Sequence, residues 1–172
     1  DPRGAIRLHI TQDDLLTHLP PSTGLALDAG AGLGQMSRWL IEQGWHVTLS
    51  EPSAEMLDQA QASLSTHPLV TQLEFLPHSI QTLPHRQDGF DLIVCHAVLE
   101  WLANPKTTLQ QLVTHLKPDG YLSLMFFNRL SKEFRHLIGG DLKAVLNNQI
   151  ASDGQQGLAP ISPLLPTEVL SW

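Results

Sequence analysis

The feature that most constrains this chain is an alternation along its length. Short apolar runs at residues 24–28, 45–50, 73–76, 90–95 and 121–127 are separated by stretches with helical spacing. Most of these runs are nearly continuous in apolar residues, as in strands covered on both faces. Between them, Met36, Trp39 and Leu40 repeat at i, i+3 and i+4 before Gly44 stops the helix. Ser53 is placed to cap the next helix, with Glu55 in its first turn and Met56, Leu57, Ala60 and Leu64 on one face. Asn104-Pro105 opens a further helix that buries Leu109, Leu112, Val113 and Leu116, and Lys117-Pro118-Asp119-Gly120 turns it back. Strand and helix in this order predict a doubly wound α/β fold with a mostly parallel sheet and right-handed crossovers.

A chain of 172 residues is the size of one domain, and the whole of 1–172 is read as one. Residues 6–19 read as a helix ending at Pro20-Pro21, so 1–20 forms an N-terminal helical segment. After Asn128 the alternation stops. Residues 129–146 read as helix, 147–166 as a loop rich in Gly, Pro, Ser, Asn and Gln, and 166–172 as the start of another helix. A sheet that ends with the fifth strand leaves an open edge, which is a pairing hazard. The expectation is therefore that C-terminal strands are missing from this chain and that 129–172 lies on the substrate side.

Composition narrows the function classes. At 42% hydrophobic and 16% charged the chain buries a core, and no apolar run approaches the roughly 18 residues a membrane span needs. The opening Asp1-Pro2-Arg3-Gly4 has no signal-peptide pattern, and the single Cys95 forms no internal disulfide, which fits a cytoplasmic protein. A net charge of -7 argues against nonspecific nucleic-acid binding, because phosphate contacts need Lys and Arg. A local basic face is compatible with it: Arg129, Lys132, Arg135 and Lys143 are four of the ten basic residues, although such a cluster is commonly a solvated helix face. The histidines show no metal-ligand spacing, and no Gly-x-Ser-x-Gly or Cys-His signal marks a covalent nucleophile.

The chemistry-bearing loop is Asp28-Ala29-Gly30-Ala31-Gly32-Leu33-Gly34, between a strand and a helix. Glycines there allow positive φ and close backbone approach to a ligand, and the helix N-terminus adds free N–H groups. The spacing differs from the dinucleotide pattern G-x-G-x-x-G. Asp28 ahead of the glycines is awkward beside a pyrophosphate but suits a sulfonium and an amino group, which favours S-adenosylmethionine (SAM). Glu51, after the second strand, stands where a carboxylate accepts two ribose hydroxyls; its ordinary alternative is a helix N-terminal acid. Ser79-Ile80-Gln81, after the third strand, offers an apolar contact beside an amide for adenine. His96, at the carboxyl end of the fourth strand, faces the cleft more readily than an average histidine, whose usual role is capping or core.

Leu27-Asp28-Ala29-Gly30-Ala31-Gly32 resembles the first SAM-binding motif of class I methyltransferases. His96-Ala97-Val98-Leu99-Glu100-Trp101-Leu102-Ala103-Asn104-Pro105, with Leu122-Ser123-Leu124-Met125-Phe126-Phe127-Asn128, resembles the bacterial tRNA 5-carboxymethoxyuridine methyltransferase family. The likeness runs from about Arg3 to Trp172 and includes Ile161-Ser162-Pro163. It implies a Rossmann-like fold, SAM as cofactor, and esterification of the carboxyl group of 5-carboxymethoxyuridine at the tRNA wobble position. By the same resemblance Arg7 meets the methionine end of SAM, Gly30, Ala31 and Gly32 form the loop contacts, Glu51 the ribose acid, Ile80 and Gln81 the adenine contacts, and His96 the cleft histidine. Ala31 and Leu33 stand where the family has a glycine and an acid. Glu51 stands where its members carry Asp, and residues 153–160 carry no Lys or Arg.

The implied reaction needs no general base, because a carboxylate acceptor with a pKa near 4 is already ionised at neutral pH. Positioning then supplies the catalysis, and no catalytic residue is assigned. Two rival readings stand beside this one: a methyltransferase of a small carboxylic acid or other metabolite, and a noncatalytic SAM-binding module.

Overall fold

The computed structural model describes residues 2–19, 24–140, 142–146 and 163–172. In chain order the elements are α1 (Pro2–His18), β1 (Leu25–Ala29), α2 (Gln35–Glu42), β2 (His46–Ser50), α3 (Ala54–Leu64), β3 (Leu73–Leu76), β4 (Phe90–His96), α4 (Pro105–Val113), β5 (Leu116–Met125), α5 (Arg129–Ile138), α6 (Leu142–Leu146) and α7 (Pro166–Val169). They group into two compact units: Asp1–His96 with Gln111–Leu124, and Ala97–Gln110 with Met125–Trp172.

The first unit holds the sheet, in the order β3-β2-β1-β4-β5. β1 pairs in parallel with β2 and β4, and β2 in parallel with β3. This is the doubly wound α/β arrangement that the alternation predicts. One face of the sheet presents Ala26, Val47, Leu92 and Val94 to Leu15 of α1 and to Met36, Leu40 and Ile41 of α2. Leu49 continues that face under Leu57, Ala60 and Leu64 of α3. Strand residues alternate between faces. Leu27, Ile93 and Cys95 therefore point the other way, and they too are fully buried. Burial on both faces explains why these strands read as continuous apolar runs.

Two boundaries differ from the sequence reading. α4 stops at Val113, and β5 already begins at Leu116, so Lys117-Pro118-Asp119-Gly120 lies inside the strand. The reason is tertiary. His115 accepts the Phe90 N–H at 2.8 Å, and Lys117 Nζ meets Asp91 Oδ2 at 2.9 Å, so this segment is held against β4. Asp119 takes φ 65° there, the left-handed conformation that made the tetrapeptide look like a turn. β5 lies at the edge of the sheet.

In the second unit the helix expected over 129–146 is two helices, because Gly139 and Gly140 end α5, the latter at φ 78°. Asn128 caps α5 by accepting the Leu130 N–H at 2.9 Å. Leu164 is strapped to this turn: its N–H donates to Phe127 O and its carbonyl accepts from Arg129 N–H. The loop expected at 147–166, with Ile161 and Ser162, lies largely outside the described residues.

Candidate cofactor site

The site is built in the first unit, where β1, β2, β3 and β4 reach their carboxyl ends. That is the end at which open α/β sheets bind ligands. Leaving β1, the chain takes φ 73° at Gly30, 58° at Gly32 and 76° at Gly34. Three left-handed residues in five fold the loop back over β2, a path costly for any residue with a Cβ. The Gly30 and Ala31 N–H groups both donate to Ser50 O, at 2.8 and 3.1 Å. Gly34 then caps α2, and a Cβ there would press on Leu49 and Leu64 at 3.0 Å. The loop is thus fixed by its own backbone and by the core beneath it.

Glu51 closes the loop from the β2 side. Its Oε2 accepts the Gly32 N–H at 2.8 Å and its Oε1 the Ser53 N–H at 2.9 Å. A carboxylate has about four lone-pair positions, so one acceptor position on each oxygen is left over. Those two positions, on a side chain 7% exposed, fit a vicinal diol. The same junction reaches β3: the Glu51 N–H donates to Leu76 O and Ser50 Oγ to His78 O. Ile80 follows in a short 3-10 turn opened by a Ser79–Thr82 capping box; it is buried, whereas Gln81 is exposed.

Asp28 is turned inward rather than toward the loop's open side. Ser37 of α2 donates both its hydroxyl, at 2.6 Å, and its backbone N–H to the Asp28 carboxylate. Burial pushes this carboxyl up to about 6, with the nearby Glu51 charge adding to the rise and the Ser37 bonds opposing it. The residue therefore shapes the loop by tethering it to α2.

On the other side of β1, Asp28 is level with Val94. His96, two residues further, stands level with the glycine loop. Its Nε2 pairs with Ser123 Oγ at 2.8 Å. Burial, and secondarily the positive charge of Arg7 on α1, lower its pKa to about 4. The imidazole is neutral at physiological pH, a poor base but a fixed polar wall. Arg7 itself is exposed. The residue that follows, Ala97, has φ 57°, a left-handed conformation rare for a residue with a Cβ.

The structure thus links the loop residues, Glu51 and the β3 turn through hydrogen bonds, sets His96 level with the loop on the β4 side, and leaves Arg7 exposed on α1. Sequence reasoning missed Ser37, Ser50, Ser53 as a partner of Glu51, and Ser123. Ser37, Ser50 and Ser123 have partners 9, 28 and 27 residues away, and nothing local marks them, whereas Ser53 meets Glu51 two residues back through its backbone N–H, which its side-chain type does not signal. Among the described residues no group of three His, Cys, Asp or Glu side chains could hold a metal ion, and no helix is long and apolar enough to cross a membrane.

Comparison with known proteins decides the family. Residues 27–124 match the model of the methyltransferase domain, and they carry the glycine loop, Glu51 and His96. The chain belongs to the methyltransferase domain family. Over 99% of its length it is 33% identical to the tRNA 5-carboxymethoxyuridine methyltransferase of Escherichia coli O157:H7, of which the match covers 66%. The chain spans just under two thirds of that relative's length. The malonyl-[acyl-carrier protein] O-methyltransferase of Salmonella typhimurium is 32% identical over 56% of the chain and 38% of its own length. Among solved structures, the plantazolicin methyltransferase BpumL in complex with SAH superposes with a TM-score of 0.65 at 20% identity, covering 94% of this chain and 58% of that one. The glycopeptide N-methyltransferase MtfA complexed with SAM gives 0.61 at 20% identity, covering 71% and 55%.

Methyltransferases of this family and fold use SAM as cofactor, and the residues present fit it. The left-handed glycines allow a close backbone approach, the two remaining Glu51 acceptor positions suit ribose hydroxyls, and buried Ile80 offers an apolar surface for a base.

Proposed function

We propose that this chain is the SAM-binding portion of an enzyme that esterifies a carboxyl group, the acceptor being 5-carboxymethoxyuridine at the tRNA wobble position. The observation that carries this is the reach of the likeness. The methyltransferase domain accounts for residues 27–124, yet the match to the tRNA methyltransferase extends across 99% of the chain, including segments outside the shared domain. The acceptor chemistry has independent support. A malonyl group and a carboxymethoxy group both end in a carboxylate, so relatives of two kinds converge on the same nucleophile.

In this reading, SAM held by the glycine loop, Glu51 and Ile80 would supply an electrophilic methyl group on its sulfonium, and the acceptor's carboxylate oxygen would be the nucleophile. The protein's part is to bind, orient and exclude water. Glu51 would hold the ribose while its two N–H bonds keep the carboxylate from rotating. Gly30, Ala31 and Gly32 would present backbone to the methionine part, with Arg7 near its carboxylate. Asp28 would keep the loop in register with α2 and contribute its negative charge from beneath the loop. Ile80 and Gln81 would receive the adenine. His96, neutral and pinned to Ser123, would line the cleft without taking a proton. None is required, because the acceptor carboxyl is ionised already. In-line positioning is the main source of rate.

The second reading, a small carboxylic acid as acceptor, is favoured by the malonyl relative and by the net charge of -7. The experiment offers the full-length protein labelled SAM with either tRNA carrying the unesterified wobble acid or a panel of free carboxylic acids. Label in a methyl-ester nucleoside that base hydrolysis releases supports the tRNA acceptor. Label only in small acids refutes it in favour of the second reading. SAM binding with no transfer to either supports a noncatalytic module.

A further inference from the structure

The imidazole of His96 and the hydroxyl of Ser123 are joined between β4 and β5, Nε2 to Oγ, at 2.8 Å. Both residues belong to the unit that holds the sheet and the glycine loop. Among the described residues this is the one hydrogen bond that either side chain makes. His96 is neutral at physiological pH, so one of its ring nitrogens carries a hydrogen and the other a lone pair. The direction of the Ser123 bond decides which. A serine hydroxyl has one proton to place and two lone pairs. If Nε2–H donated to Oγ, the serine proton would be left without an acceptor among the described residues, at a half-buried position. If Oγ–H donates to Nε2, that proton is engaged and the ring hydrogen sits on Nδ1. An unmet donor withdrawn from water is the costlier fault, which favours the second arrangement. Nδ1–H is then the group that the pair leaves for a ligand.

What that N–H would meet follows from the register. His96 lies two residues beyond Val94, which is level with Asp28, and so stands level with the start of the glycine loop. The proposed function places the methionine part of SAM there, against Gly30, Ala31 and Gly32. That part carries an ammonium, a sulfonium and a carboxylate, and of the three only the carboxylate accepts a hydrogen bond. A ring with its lone pair at Nδ1 would suit the ammonium, and a ring with its hydrogen there suits the carboxylate. We propose that Ser123 is a positioning residue for the cofactor: its hydroxyl holds His96 as the Nδ1–H tautomer, a neutral donor to the carboxylate of SAM. The proposal rests on the reading that puts the methionine part at the glycine loop. A neutral donor also holds that carboxylate without setting a further positive charge beside the sulfonium.

The test uses the full-length protein as wild type, Ser123→Ala and Ser123→Thr. Nitrogen NMR of protein with isotopically labelled histidine at pH 7 reads the tautomer, and the signal missing from His96→Asn identifies the ring. Titration calorimetry reads the affinity for SAM and for decarboxylated SAM, which lacks the carboxylate. The wild-type ring is expected as Nδ1–H. Ser123→Ala moves it toward Nε2–H, weakens SAM about 3- to 10-fold, the worth of one hydrogen bond, and leaves decarboxylated SAM unchanged. Ser123→Thr keeps a hydroxyl on the same carbon and retains both the tautomer and the affinity. A wild-type ring in the Nε2–H form would overturn the proposal. So would unchanged SAM affinity in Ser123→Ala, or equal weakening toward both compounds, which marks a merely structural serine. If the wild-type protein binds neither compound, the reading of the loop as a SAM site falls and takes this proposal with it. SAM binding by the wild type together with any of the overturning results refutes the role of Ser123 alone.

Discussion

Replacing Asp28 by Asn should stabilise the protein, and by an amount that grows with pH. The carboxyl is 3% exposed and its pKa is pushed from 3.8 to about 6, chiefly by burial. A group whose folded pKa lies above its unfolded one favours the fold when protonated. Its contribution is fully present below pH 3.8 and is lost as the pH rises through about 6. A shift of about 2 units corresponds to about 3 kcal/mol at 1.36 kcal/mol per unit. The deficit that ionisation imposes on the wild-type protein is about 1.6 kcal/mol at pH 5 and about 3 kcal/mol at pH 7, from the same two pKa values. Asn cannot ionise, and its Oδ1 still accepts from Ser37. The stabilisation should thus widen by about 1.3 kcal/mol between pH 5 and 7, equivalent to several degrees in Tm for a chain of this size. Urea unfolding of both proteins at a series of pH values reads it directly. A difference that is flat with pH, or a variant less stable at pH 7 than the wild type, would show that the Ser37 bonds outweigh burial and that the carboxylate is well accommodated.

Glu51→Ala strips the Gly32 and Ser53 N–H groups of their acceptor, at about 1–3 kcal/mol each, whereas Glu51→Gln keeps one carbonyl oxygen and should lose less; equal stability of both variants and the wild type in urea would contradict the bonding at that loop. Gly34→Ala places a Cβ 3.0 Å from Leu49 and Leu64 at φ 76°, and should destabilise by about 2–4 kcal/mol in the same measurement; a neutral result would mean that the loop can take another path. His96 protonates only near pH 4, so methyl transfer should show no imidazole inflection between pH 6 and 8; an inflection near 6.5 that His96→Asn removes would overturn the neutral, non-basic role.

How much of this was legible in the sequence follows from where each signal is stored. The strands were legible because burial on both faces forces continuous apolar runs, as at Leu92, Ile93, Val94 and Cys95. The glycine loop was legible because Gly30, Gly32 and Gly34 answer a local demand for positive φ. Glu51 was placed by its position after β2, but the two N–H groups that fix it were not, since Gly32 lies 19 residues away. The early start of β5 was hidden because local propensity at Lys117-Pro118-Asp119-Gly120 says turn, while Asp91 and Phe90, distant in sequence, hold it as strand. The break between α5 and α6 was readable in Gly139-Gly140, a pair that outweighs the apolar periodicity on either side. The setting of Lys132 was not readable at all: sequence shows a basic cluster, and only the fold withdraws its Nζ from solvent without a hydrogen-bond partner among the described residues.

The central claim is that the loop joining β1 to α2, closed by Glu51, is a SAM site. Titration calorimetry of SAM and of NAD into the wild-type protein and its Glu51→Ala variant tests this most directly. The account predicts saturable 1:1 binding of SAM to the wild type, binding weakened at least about tenfold in the variant by loss of two ribose hydrogen bonds, and none of NAD. Wild-type protein that binds NAD but not SAM, or SAM binding indifferent to Glu51, would contradict it.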